Sequence, residues 1–158
     1  MIRRLIYWIP AVCVAILISV FSTHYFSGEH TAQFIIPILR WFLPLASLHT
    51  LRLLHFGIRK AAHITEFAVF SIAVFHGVRG ERHGWRPQWA LITLLIAVSY
   101  AGLDEWHQSF VPMREARFRD VLIDSTGALL AQLLVWGYAK LRRNYPQASQ
   151  FNDKVPGR

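Results

Sequence analysis

From Tyr100 to Asp120 the chain reads YAGLDEWHQSFVPMREARFRD. An apolar segment runs straight into Asp104, Glu105, His107 and Gln108, turns through Pro112, and meets Arg114, Arg117 and Arg119 before Asp120. Asp104 and Gln108 stand at i,i+4 and share a helix face, with His107 beside them. Two further clusters have the same character. His63 and Glu66 are three apart on one face, and Asp120 and Asp124 share another that Gly127, Ala128 and Ala131 extend. Such groups offer two chemistries. Asp104, Asp120, Asp124 and His63 could hold a divalent metal ion, oxygen-rich ligands favouring Mg²⁺, Mn²⁺ or Ca²⁺ and the histidine admitting Zn²⁺. The ion would activate water or polarise a phosphoryl oxygen. Alternatively His63 works without metal, as a general base or nucleophile oriented by a carboxylate. Glu66, Glu105 and Gln108 complete the candidate catalytic set. Arg114 and Arg117 would hold a phosphate, with His107 near the substrate.

The elements that must position these groups are membrane spans. The chain has 158 residues, 54% of them hydrophobic, with a mean hydropathy of +0.31. That is more apolar surface than one small soluble core can hide. The net charge is +8, but the basic residues are scattered between apolar runs, which suits anionic lipid rather than nucleic acid. Cys13 can form no internal disulfide. A span needs about 20 mostly apolar residues, and four stretches qualify or nearly so: 5–25, 61–78, 89–103 and 121–141. The first lacks a small-x-small cleavage site and reads as a retained anchor. Residues 33–58 are apolar but carry Pro37, Arg40, Pro44, His49, Arg52 and His55, a mixture that suits interfacial helices between the first and second spans. His49, His55, His76 and His83 read as interfacial or loop residues, Gly102 as a close-packing position and Pro112 as a turn. The polar tail of residues 144–158 is expected to be disordered. The fold expected is therefore an all-α bundle of four transmembrane helices in one domain, residues 1–143.

Alternation then brings the clusters together. The second span begins, the third ends and the fourth begins on one membrane face, which collects His63 and Glu66, Asp104 to Gln108, and Asp120 and Asp124. Ionisable residues within spans usually face a bundle interior or a watery cavity. The plainer reading is that Asp104 and Glu105 are ordinary end residues at headgroup level, paired with Arg114 or Arg117. Glu66 and Asp124 resist it, because a long apolar stretch follows each. Basic residues counted by side give eight against seven, so charge alone leaves the orientation open.

These residues resemble the VanZ-like family, small polytopic bacterial membrane proteins named after a glycopeptide-resistance component. The matching positions are Lys60 and His63; Asp104, Glu105 and Gln108; Phe110, Pro112 and Arg114; Asp120 and Gly127. The resemblance covers about residues 55–135 and adds Lys60 to the candidate substrate-binding residues. Arg59 departs from the pattern, standing where an acidic residue often precedes the lysine, and Asp124 replaces the usual asparagine. The resemblance implies four spans with both termini inside, in the inner membrane, and an association with cell-envelope stress or teicoplanin tolerance.

Three functions are compatible with this sequence. One is an enzyme acting on a lipid-linked or cell-wall precursor at the outer leaflet. A second is a protein that binds a lipid headgroup or a partner without chemistry. The third is a small transporter or proton relay, against which the small number of spans argues. Known membrane catalysts offer no template: "HITEF" is not the His-Glu-x-x-His of zinc proteases, and Gly-x-Ser-x-Gly, Pro-Ser-Gly-His and P-loop motifs are absent from the sequence.

Overall fold

The computed structural model describes residues 2–112 and 117–144, and its regular structure there is entirely helical. The order is α1 (Ile2–Ile6), α2 (Ile9–Phe21), a 3₁₀ turn at His24–Phe26, α3 (Gly28–Phe42), α4 (Leu48–Arg79), α5 (Pro87–Gln108) and α6 (Phe118–Asn144). Four segments are long and apolar enough to cross a membrane: Arg4–Phe21, Leu48–Arg79, Pro87–Gln108 and Phe118–Arg143. The all-α, four-span expectation holds. Arg114 and the tail beyond Asn144 lie outside the described residues.

Local chemistry sets the helix ends. Ser47 caps α4 by accepting the Thr50 N–H at 3.1 Å, and Gly80 stops it with a φ of +58°, a conformation that costs glycine little. Pro87 opens α5, where a missing N–H is harmless. The main departure from the sequence reading concerns residues 48–60. They do not form a separate interfacial helix but continue without a break into the second span. At 1.5 Å per residue α4 is about 48 Å long, against a hydrocarbon core of roughly 30 Å. Its first turns therefore overreach the span. α3 packs against that overreach, where Thr31 Oγ1 and His55 Nε2 lie 3.1 Å apart. His55 is thus buried rather than an interfacial or loop residue. Phe34, Ile38 and Trp41, spaced i, i+4 and i+7 along α3, remain exposed, an apolar face of the kind that lies against lipid.

The bundle core is built from Phe67, Phe70 and Val74 of α4, Ala97 and Ala101 of α5, Ala128 of α6, and Ala11 and Ile18 of α2. Small residues do the close work, as expected where lipid removes the hydrophobic drive between helices. Gly127 lies directly against the backbone carbonyl of Ile64, and any Cβ there would collide with it. At the opposite end Gly77 is covered by the Trp8 indole. Gly102, by contrast, has open space where a Cβ would stand, so the close packing expected of it is not what it provides. Deeper between α4 and α6, Ser71 Oγ donates to the Ala128 carbonyl at 3.1 Å and Gln132 Nε2 to Ser71 Oγ at 2.9 Å. Buried interhelical bonds of this kind contribute roughly 0.6 kcal/mol each.

Gly127→Ala should lower the melting temperature in detergent, at an overpacking cost of about 1–3 kcal/mol. Gly102→Ala should leave it unchanged or raise it slightly, alanine being the better helix former by about 1 kcal/mol. Thermal unfolding of the two variants side by side checks the contrast.

Candidate functional site

The site begins as three helix faces. On α4, Phe56, Arg59, Lys60 and His63 follow i, i+3, i+4, i+7 and so form one stripe. On α5 the stripe Ala97, Ala101, Asp104, Glu105, Gln108 starts small and apolar and ends polar; all five are buried. On α6, Asp120 and Asp124 lie above Gly127 and Ala128. Because Gly127 lets α6 lie against the α4 backbone, the first and third stripes meet at contact distance. Lys60 Nζ donates to Asp120 Oδ1 at 2.6 Å, with both side chains about a quarter exposed. One turn deeper, His63 Nδ1 and Asp124 Oδ1 are 3.6 Å apart, an ion-pair distance rather than a hydrogen bond. The α5 stripe closes the third side, where Glu105 Oε1 accepts the backbone N–H of Arg117 at the entrance to α6.

These faces enclose a cavity of about 270 Å³, lined by Gly28, Glu29, Phe56, Arg59, Lys60, His63, Glu105, Gln108, Arg117, Asp120 and Asp124. Seven of the residues expected at the site from the sequence stand on this wall: Lys60, His63, Glu105, Gln108, Arg117, Asp120 and Asp124. Others are placed elsewhere. Asp104 is buried behind the wall and accepts from Gln108 Nε2 at 2.8 Å, so it orients Gln108. Glu66 is half-buried, a turn deeper on α4, and does not line the cavity. His107 points away from it into an apolar groove beside α2. Among the described residues no three His, Cys, Asp or Glu side chains are grouped as a metal ion would require. Of the four candidate metal ligands, Asp124 and His63 lie beside each other, while Asp104 meets Gln108 and Asp120 meets Lys60.

Two features of the wall stand out from its paired charges. Asp120 is engaged by Lys60, Glu105 by a backbone N–H, and Asp124 Oδ1 by His63. The Arg59 guanidinium, only partly exposed, feels the charge of Asp120 but makes no hydrogen bond and no close ion pair among the described residues. It rests against Gly28, in the space a side chain there would fill. Asp124 Oδ2 is likewise buried without a hydrogen-bond partner among the described residues. A half-buried cation and a buried acceptor, both on a cavity wall, are groups whose hydrogen bonds a ligand can complete. Arg59, Phe56, Gly28 and Glu29 were not among the candidate site residues. Arg59 and Phe56 had a legible signal, the helical spacing to Lys60 and His63, once α4 is continued back through residues 48–60.

No curated protein and no solved structure matches the chain. A family model described as VanZ/LLP1 matches residues 5–140, a stretch that contains every residue of the cavity wall. With this match over most of its length, and four helices long and apolar enough to cross a membrane, the chain belongs to the VanZ/LLP1 family.

Proposed function

We propose that the cavity binds the anionic headgroup of a lipid-linked or cell-envelope precursor, with Arg59 as the principal anion-binding residue. The observation that carries this is the Arg59 guanidinium, held partly out of water on the cavity wall without an ion pair among the described residues. A planar guanidinium grips phosphate or carboxylate oxygens in pairs, and Lys60 and Arg117 stand on the same wall. Of the wall carboxylates among the described residues, Glu29 is the most exposed. Asp124 Oδ2 supplies a buried acceptor for a hydroxyl of the same ligand. In this reading the chain sits in a bacterial inner membrane with both termini cytoplasmic. The cavity then faces the outer leaflet, where envelope precursors are displayed. An envelope role, and a contribution to glycopeptide tolerance, agree with the component after which the family is named.

A second reading has its own observation, the His63–Asp124 pair. His63 Nδ1 faces the Asp124 carboxylate at 3.6 Å. A closer approach on ligand binding would give the hydrogen bond by which a carboxylate orients a catalytic histidine. The cavity then does acid–base chemistry on the headgroup that Arg59 holds, for instance activating water against a phosphate ester.

Titrating inorganic phosphate and short-chain phosphatidic acid into detergent-purified protein tests the binding reading. Saturable binding is expected, weakened by Arg59→Gln about tenfold or more, as the loss of a charged hydrogen bond of roughly 1.5–3 kcal/mol implies. Equal affinity in wild type and variant, or no binding to wild type, would remove the reading. Chemistry is tested by following a phosphate-bearing lipid substrate. His63→Ala should cut turnover by about 10²–10⁴-fold while leaving binding intact. Recovery of unchanged lipid from wild type would leave binding as the whole function.

A further inference from the structure

We infer that the ligand is a membrane lipid whose hydrocarbon chain lies in the groove between α2 and α5 while its headgroup occupies the cavity. This rests on the headgroup reading above and extends it to the lipid's apolar part. The groove, of about 390 Å³, is lined by Val12, Ala15, Ile16, Ser19 and Val20 of α2, by Thr23 just past its end, and by Tyr100 and His107 of α5. The hydroxyls along it are already satisfied, Thr23 Oγ1 by the Val20 carbonyl. Tyr100 OH donates to the Ala15 carbonyl at 2.7 Å and lies 2.9 Å from Ser19 Oγ. What the groove presents along its length is therefore hydrocarbon. From Val12 to Val20 it follows α2 for roughly 12 Å at 1.5 Å per residue, most of one leaflet, half of a hydrocarbon core of about 30 Å.

The groove also adjoins the cavity. Gln108, on the cavity wall, donates to Ser22 Oγ at 3.3 Å, and their chain neighbours His107 and Thr23 line the groove's upper end. The Gln108–Ser22 hydrogen bond thus stands between the polar cavity and the upper end of the apolar groove, an order that matches the head and chain of one amphiphile. His107, which sequence alone placed with the substrate-binding residues, would sit at the junction of head and chain. Because the bilayer already dissolves hydrocarbon, the groove adds position rather than much affinity. The lipid would be held with its phosphate against Arg59 and its chain in one track.

The test is photo-crosslinking in phosphatidylcholine nanodiscs, using phosphatidic acid with a diazirine on its acyl chain and mapping the labelled residues by mass spectrometry. Label is expected on Val12 to Val20 and near Tyr100, in preference to other lipid-facing residues such as Leu130, Leu133 and Leu134. It should be lost from the groove when Val20→Trp or Ile16→Trp fills it, and when Arg59→Gln removes the anchor. Label spread evenly over the lipid-facing helices, with phosphate binding intact, would overturn the groove and leave the headgroup reading standing. Failure of the wild type to bind phosphate at all would overturn both. The wild-type label distribution decides the matter even if a tryptophan variant fails to fold.

Discussion

The contact between Gly127 and the Ile64 carbonyl is the constraint on which the site depends. In a bilayer there is little hydrophobic gain in pressing two helices together, so close approach must come from small residues and interhelical hydrogen bonds. Gly127, Ala128 and Ala131 remove the bulk from one face of α6, and Ser71 and Gln132 bond across the gap. Only at that separation can Lys60 reach Asp120 and His63 approach Asp124. α5 follows the same logic. Ala97 and Ala101 allow it against the pair at depth, and the carboxamide and carboxylates of the same stripe reach the cavity end.

The placement of charge follows from solvation. Isolated charges in a hydrocarbon medium are expensive, and removing one partner of a buried pair is worse than never having had it. Along the cavity wall most charges are accordingly matched: lysine with aspartate, histidine with aspartate, glutamate with a backbone N–H. Against that background Arg59 is informative. It stands where the family pattern often has an acidic residue, so this chain carries a cation at a position that elsewhere adds negative charge. In the proposed reading Arg59 joins Lys60 and Arg117 as a third cation on a wall that also carries four carboxylates, and its partly desolvated guanidinium is the one a ligand's anion would engage.

Much of this was legible in the sequence because two periodicities govern it. The i,i+3 and i,i+4 spacings of His63 with Lys60, Asp104 with Gln108 and Asp120 with Asp124 fix which residues share a face. The alternation of spans fixes which helix ends meet. What the sequence hid has physical causes. His49, Arg52 and His55 made the stretch before residue 61 read as interfacial, although a helix longer than the bilayer is thick can carry such residues beyond the hydrocarbon. Ending the helix at Ala61 broke the stripe that would have revealed Arg59. His107 and Gln108 are neighbours in sequence, but successive helical residues diverge by about 100°, so one serves the cavity and the other the groove. Glu66 shares its face with His63 but lies a turn too deep to line the cavity.

The most direct measurement of the central claim is native mass spectrometry of the protein extracted from its own membranes, comparing wild type with Arg59→Gln. The account predicts that wild type retains a phosphate-bearing lipid in stoichiometric amount and that the variant loses it while remaining folded. Identical lipid content in the two proteins would contradict it, and the placement of Arg59 on the cavity wall would then be a feature of the fold alone.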